Sequence, residues 1–338
     1  MPSVTIAIPT LRGDETLESC LRALNAQTYA DFQVVIVNNS GRDLAVSEGL
    51  FAFPIRVISP AANVGFGAAI NIAVRVTDAR DAHYVATLND DTEPDAGWLA
   101  ALVGEMESDP GIGMCASNIR LFSDERLDSA GMAICFDGSS RQRGHREPAA
   151  GFALSEDVLL PSACAALYRR KMLDEIGLFD EDFFLYCEDT DLGLRARWAG
   201  WRCRYVAGAA VRHRYSHTTG AFSPLKARFV ERNRLWVAIK NFPMAMLMRA
   251  PMVSLLRYSW QFAGISNERG AAAEFIRSGQ SVGTAGAIIA RAHWDTLTHL
   301  PALLRKRTAL RRKRRLRPAE FTRLMQRYRI TAKELAHA

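Results

Sequence analysis

The sequence predicts an α/β fold, a mostly parallel sheet flanked by helices, followed by a helical C-terminal extension. Three observations carry this. Short continuous apolar runs alternate with amphipathic segments through the first 115 residues, the pattern of parallel strands covered on both faces. The 338-residue length holds one such domain with an appendage, at roughly 150 residues per domain. Charge is partitioned: 43 Lys plus Arg stand against 36 Asp plus Glu, yet residues 301–338 hold 13 basic and 2 acidic residues. A mildly acidic body therefore carries a strongly basic tail.

The elements follow in order. Val4 to Ile8 is a β-branched run that reads as the first strand. Glu15 to Gln27 places Leu17, Cys20, Leu21 and Leu24 at helical spacing. Phe32 to Val37 and Ile55 to Ile58 are further apolar strands, and Ala68 to Val76 is a helix. Tyr84 to Leu88 is a fourth strand, Ala96 to Met106 a helix after Pro94-Asp95, and Ile112 to Cys115 another strand. Residues 116–160, rich in Gly, Ser and charge, read as a flexible loop region. Structure resumes with an apolar run from Ser162 to Tyr168 and a helix from Arg170. A helix from Thr190 to Ala199 stops at Gly200, and Cys203 to Val211 reads as strands. Lys226 to Asn241 is helical. Phe242 to Phe262 is apolar but broken by Arg249, Pro251 and Arg257, as in an interfacial amphipathic pair rather than a membrane span. His293 to Leu304 leads into the basic run.

Composition excludes several classes. With 49% hydrophobic, 23% charged and 9% aromatic residues, the chain is neither disordered nor fibrous. None of the six cysteines stands in a C-x-x-C pair, so neither a zinc site nor a disulfide framework is expected, and a reducing compartment fits. Met-Pro-Ser followed at once by a strand gives no expectation of a signal peptide. No apolar stretch reaches the length of a transmembrane helix.

Four constellations could carry chemistry. Leu88-Asn89-Asp90-Asp91-Thr92 ends a buried strand with adjacent carboxylates, costly unless a cation binds; a turn leading into a helix N-cap is the simpler alternative. Glu188-Asp189-Thr190-Asp191 opens a helix. Three acids there suit the helix dipole, yet they follow the aromatic run Phe183 to Tyr186, where a carboxylate can serve as a general base. Val211 to His217 places His213 directly after a strand, as a metal ligand or a merely structural histidine. Asn63-Val64-Gly65-Phe66-Gly67 precedes a helix whose start could approach a ligand, or simply needs flexible glycines.

Taken in order, Ile8-Pro9-Thr10, Gln27-Thr28-Tyr29, Val35 to Ser40, Asn63 to Phe66, Leu88 to Thr92, Gly177 to Glu181, Glu188 to Leu192 and Arg232-Asn233 form a specific set. Together they resemble family 2 glycosyltransferases of the GT-A fold, especially the rhamnosyltransferase-like bacterial branch, from about Val4 to Trp236. The resemblance implies a GT-A domain over 1–222, with a nucleotide-sugar half at about 1–115 and an acceptor half at about 116–222. A helical, membrane-associating extension follows at 223–338. It implies Asp91 and His213 as ligands of Mg²⁺ or Mn²⁺, and Asp189 as the base that deprotonates the acceptor hydroxyl. Glu188 and Asp191 would bind the acceptor. Pro9, Thr10, Arg12, Asn38, Asn63, Gly65 and Asp90 would line the donor site. Two residues depart from the pattern: Asn38 stands where the family usually has Asp, and Leu11-Arg12 where it often has Tyr-Asn.

The implied reaction is an inverting, metal-dependent transfer from a nucleoside-diphosphate sugar, with dTDP-rhamnose expected from the branch. The acceptor would be a glycan or a polyprenyl-diphosphate-linked sugar. The basic tail suits an anionic membrane surface, hence a peripheral location on the cytoplasmic face, better than it suits nucleic acid, because the preceding helices are apolar and no RNA-recognition motif is present. The alternative is a nucleotidyltransferase or a non-catalytic nucleotide-sugar-binding protein of related fold.

Overall fold

The computed structural model describes residues 3–44, 46, 49–77, 82–214 and 223–337. Tyr215 to His217 lie outside them. The chain divides into a sheet unit, residues 1–132 with 142–218, and a helical unit, residues 133–141 with 219–338.

The elements of the sheet unit are β1 (Val4–Thr10), α1 (Glu15–Asn25), β2 (Phe32–Asn38), β3 (Ile55–Ile58), α2 (Phe66–Val76), β4 (Tyr84–Leu88), β5 (Thr92–Pro94), α3 (Trp98–Ser108), β6 (Ile112–Leu121) and β7 (Leu127–Ser129). A short hairpin follows, β8 (Met132–Ile134) with β9 (Ser140–Gln142). Then come β10 (Glu156–Val158), β11 (Ala165–Arg169), α4 (Arg170–Ile176), α5 (Glu188–Trp198) and β12 (Arg202–His213). The main sheet runs β10-β12-β6-β11-β4-β1-β2-β3, with β5 on β12 and β7 on β6. The β1/β2, β1/β4, β2/β3 and β12/β6 pairs are parallel, whereas β11 runs antiparallel to both its neighbours.

One core face is built by Ile6, Ile8, Leu17, Leu21, Trp98 and Leu102, the other by Val35, Ile70, Val74, Tyr168, Leu192 and Tyr205. Both faces of the central strands are thus covered, which is why those strands read as unbroken apolar runs. Local signals set the helix starts. Asp14 caps α1 by accepting from the Thr16 amide at 3.1 Å. Buried Trp98 opens α3 and donates from Nε1 to Ser117 Oγ on β6 at 2.8 Å.

Residues 116–160 are not a loop. β6 continues to Leu121, and four short strands follow it. Three-residue strands are too short to show a period, and their order comes from pairing with distant partners. Cys203 to Val211 belongs to one continuous strand, and α5 starts at Glu188, two residues before Thr190.

The helical unit contains α6 (Pro224–Asn241), α7 (Met244–Ser266), α8 (Gly270–Arg277), α9 (Val282–Arg311), α10 (Pro318–Arg327) and α11 (Ala332–Ala336). The expected amphipathic pair over 242–262 is a single 23-residue helix that continues through Pro251. No helix among the described residues is long and apolar enough to cross a membrane. Within this unit Glu231, Arg234, Arg257 and Asp137 form a buried ion cluster. Arg257 Nη2 reaches Glu231 Oε2 at 2.9 Å, and its Nε reaches Asp137 Oδ2 at 2.6 Å. Arg234 and Tyr258 both donate to Glu231 Oε1.

Burial works against the Glu231 carboxylate, but Arg257 and Arg234 outweigh it and hold its pKa down at about 2. A depressed carboxylate stabilises the fold above its unfolded pKa and loses that contribution as pH falls through the folded value. Glu231→Gln should therefore cost about 3 kcal/mol at neutral pH, with the deficit shrinking as pH falls from about 4.5 towards 2. Melting temperatures of the two proteins from pH 7 to pH 3 check this; parallel curves would contradict it.

Candidate active site

β4 ends at Leu88, and Asn89-Asp90-Asp91 turns the chain into β5. The turn is closed by Thr92 Oγ1 donating to the Asn89 carbonyl at 2.6 Å. β5 pairs antiparallel with the end of β12, so His213 lies opposite Thr92. This pairing, not sequence proximity, brings His213 Nε2 to 3.3 Å from Asp91 Oδ1. The other ring nitrogen, Nδ1, contacts Asp128 Oδ2 at 2.7 Å, and Asp128 Oδ1 contacts His145 Nδ1 at 3.1 Å. Asp128 reaches the ring because β7 folds back along β6, the parallel neighbour of β12. The result is a buried line Asp91–His213–Asp128–His145.

Burial disfavours a charge on the His213 ring, but Cys164, Asp128 and Asp91 outweigh it and raise its pKa well above the usual value. Burial also works against the Asp128 charge, yet His145 and His213 hold it below the ordinary carboxylate range. The neighbouring Asp90 is pushed up to about 6 by burial and by the adjacent Asp91, although Thr10 Oγ1 donates to it at 2.5 Å.

These residues fit a divalent cation. Asp91 Oδ1 is a buried acceptor with no hydrogen-bond partner among the described residues. His213 presents Nε2 beside it, with Nδ1 fixed on a carboxylate, the arrangement that orients metal-bound imidazole. A metal at Nε2 would take the place of the ring proton. Two protein ligands suffice where a substrate diphosphate and water supply the rest, as Mg²⁺ usually requires. Among the described residues no group of three or more His, Cys, Asp or Glu forms a complete metal cage.

Asp189 lies in the first turn of α5. Its Oδ2 accepts from the Ala163 amide at 3.3 Å, and its Oδ1 accepts from the Thr190 amide at 2.6 Å and Thr190 Oγ1 at 3.2 Å. The adjacent Cys164 links this carboxylate to the first group: its carbonyl accepts from the Asn89 amide at 2.8 Å, and its thiol contacts His213. Since successive Cα atoms are about 3.8 Å apart, the base candidate and the Asp91–His213 pair are anchored on neighbouring residues of one segment.

Burial raises the pKa of both Glu188 and Asp189. Glu188 is pushed well up by burial and by the charge of Asp189, and its Oε2 has no hydrogen-bond partner among the described residues. Asp189 accepts three hydrogen bonds that favour its charged form, which opposes the effect of burial there more than at Glu188.

The turn before α5 is strained. Phe184, Tyr186 and Cys187 have φ of 64°, 68° and 66°, a left-handed region costly for such side chains. Backbone strain concentrated just before a carboxylate pair is the kind found at functional sites.

Several residues expected at the donor site are occupied internally. The Asn38 Nδ2 donates to the Arg42 carbonyl at 2.7 Å and to Ser59 Oγ at 3.2 Å, while its Oδ1 accepts from the Ser40 amide. It shapes the loop after β2 and is 1% exposed, which leaves no donor free to read a base. Asp191 is fully buried and paired with Arg195 at 2.9 Å, whose other nitrogens donate to the carbonyls of Ile176, Gly177 and Leu178. It therefore holds the chain before the strained turn rather than an acceptor. Asn63 is exposed and accepts from the Gly65 amide at 2.9 Å. Thr10 buttresses Asp90, Pro9 is half-buried beside it on β1, and Arg12 is exposed just beyond.

Gly65 lies close against Phe184. The Phe66 amide donates to the Phe184 carbonyl at 2.8 Å, and a Cβ on Gly65 would collide with that oxygen. With φ of 84° as well, Gly65→Ala should destabilise the protein by about 1–3 kcal/mol. A melting curve indistinguishable from wild type would contradict this.

Asp128, His145 and Cys164 were not legible from the sequence. Each is a lone residue in an unpatterned or apolar stretch, and only the strand pairing reveals its role.

Residues 5–177 match the family model described as Glycosyl transferase family 2. An N-acetylglucosaminyl-diphospho-decaprenol L-rhamnosyltransferase of Mycobacterium tuberculosis (strain CDC 1551 / Oshkosh) is 29% identical over 225 residues, 60% of this chain and 73% of that protein. Among solved structures, GalNAc-T7 with UDP, GalNAc and Mn²⁺ aligns with a TM-score of 0.58 at 14% identity, over 71% of this chain and 48% of that one, so the chain spans about half of it. The mannosyltransferase PcManGT from Pyrobaculum calidifontis, in complex with GDP-Man and Mn²⁺, aligns with a TM-score of 0.52 at 16% identity, over 92% of this chain and 86% of that one. These structural likenesses establish the fold, a mostly parallel GT-A sheet flanked by helices.

Proposed function

This chain belongs to glycosyl transferase family 2, and from that premise we propose an inverting, metal-dependent transfer of a sugar from a nucleoside diphosphate to a lipid-linked saccharide. The observation that carries the reading is that Asp189 is held by Ala163 while His213, paired with Asp91, contacts the next residue, Cys164. Asp91 and His213 would hold Mg²⁺ or Mn²⁺, which, when bound, neutralises the charge developing on the departing diphosphate. Asp189 accepts the proton of the acceptor hydroxyl as the new bond forms. Its raised pKa brings it nearer the working pH, where a general base is most effective. Protonated Glu188 donates a hydrogen bond that orients the acceptor. Thr10 holds Asp90 at the donor side.

The rhamnosyltransferase relative supports rhamnose as the sugar and a polyprenyl-diphosphate-linked acceptor, and dTDP is proposed as the donor nucleotide. A panel of dTDP-rhamnose, UDP-N-acetylglucosamine and GDP-mannose, each with Mn²⁺ and acceptor, tests the reading. Acceptor-dependent release of nucleoside diphosphate is expected, fastest with dTDP-rhamnose. Release of pyrophosphate would speak for nucleotidyl transfer instead.

For the extension, attachment at an anionic membrane surface fits the exposed stripe Met244, Met248, Met252 and Leu255 on α7 together with the basic tail. Met248→Glu with Leu255→Glu should reduce sedimentation with phosphatidylglycerol vesicles several-fold. Unchanged sedimentation would remove this part of the proposal.

A further inference from the structure

Asp128 fixes the His213 ring, and a second histidine fixes Asp128. Its two carboxylate oxygens meet two rings: Oδ2 lies 2.7 Å from His213 Nδ1, and Oδ1 lies 3.1 Å from His145 Nδ1. The same His145 nitrogen is 3.1 Å from the Asp128 carbonyl oxygen. A carbonyl oxygen can only accept, so His145 Nδ1 carries a proton and donates to both groups. One ring thus ties the main chain of Asp128 to its side chain. The Asp128 side chain is 4% exposed, so its carboxylate depends on donors that the chain supplies.

The turn that delivers His145 is costly. It is pinned along β7: the Leu127 amide donates to the Glu147 carbonyl at 2.9 Å, and the Arg146 amide donates to the Leu127 carbonyl at 2.7 Å. Further along, the Ala130 amide donates to the Arg143 carbonyl at 2.9 Å. Gly144 and Arg146, on either side of His145, have φ of 74° and 65°. A Cβ at Gly144 would press on the side chains of Phe152 and Leu127, at 2.7 and 2.9 Å. Arginine is disfavoured in the left-handed region, and such strain persists where the surroundings enforce it, often at functional sites. Arg146 and Glu147 are exposed; His145 is the side chain that the turn tucks against Asp128.

We propose that His145 is a positioning residue that aims the His213 ring through Asp128, an inference that rests on the metal reading given above. With Oδ1 held by His145, Oδ2 stays in line with His213 Nδ1, and Nε2 stays beside Asp91 Oδ1. Without His145 the carboxylate can turn about its Cβ–Cγ bond, and the His213 ring turns with it.

Calorimetric titration of the full chain with dTDP, with and without Mn²⁺, tests this. His145→Ala should weaken the tightening by Mn²⁺ about three- to tenfold, less than the roughly 10–100-fold typical of a direct partner of a metal-bound histidine. Metal-free dTDP affinity should not change. His145→Asn, whose amide can donate in place of Nδ1, should recover most of the loss. In an Asp128→Ala background, His145→Ala should have no further effect. A readout without metal is the hydrogen-bonded Nδ1 proton of His213, a downfield ¹H NMR signal that Asp128→Ala removes; it should shift in His145→Ala and return in His145→Asn. Full tightening by Mn²⁺ in His145→Ala, an equal loss with and without Mn²⁺, or a further loss on top of Asp128→Ala overturns the proposal. Wild-type dTDP binding that ignores Mn²⁺ strikes the metal reading instead; the proton signal then decides, and an unshifted signal in His145→Ala overturns the proposal.

Discussion

Asp189→Asn should lower kcat by about 10²–10⁴-fold, the usual worth of a general base, while nucleotide binding in the presence of Mn²⁺ stays within a few-fold of wild type. The amide keeps one oxygen for the two Thr190 donors and gives up only the 3.3 Å bond from the Ala163 amide, so an unchanged melting temperature shows that the loss reports proton transfer. The same carboxylate sets the acid limb of the pH profile. Burial raises its pKa, so activity should fall as pH drops through a value above the ordinary aspartate range of about 3.9. Steady-state rates from pH 5 to pH 8 check both points. A variant with near-normal turnover would remove Asp189 from the mechanism.

Asp91→Ala should abolish the tightening of nucleotide binding by Mn²⁺. Asp91 offers a buried carboxylate oxygen beside His213 Nε2. Asp128→Ala should be milder, about 10–100-fold in metal affinity, because it acts through the His213 ring. Calorimetric titration of dTDP with and without Mn²⁺ distinguishes the two. An Asp91→Ala protein that still binds dTDP more tightly with Mn²⁺ would contradict the assignment.

Much of this was legible in the sequence. The apolar strand runs announced a sheet covered on both faces, and the ordered motifs pointed to Asp91, Asp189 and His213. What the sequence hid was which polar atoms are already spent. Asn38, Gly65 and Asp191 have the residue types of a binding site, yet their partners are Arg42, Phe184 and Arg195. Asp128 and His145 were hidden for the opposite reason: they sit in a stretch with no periodicity, β7 pairing turns Asp128 towards His213, and His145 meets Asp128 from a later turn. Residue type travels with the sequence, whereas the partner of a buried polar group is set by the register of distant strands.

The account stands on a single displacement, with a carboxylate base acting on the acceptor while the diphosphate departs from the opposite face of the sugar. The anomeric configuration of the product, read by ¹H NMR after transfer from a donor of known configuration, tests this most directly. The account predicts inversion. A product that keeps the donor's configuration would contradict it.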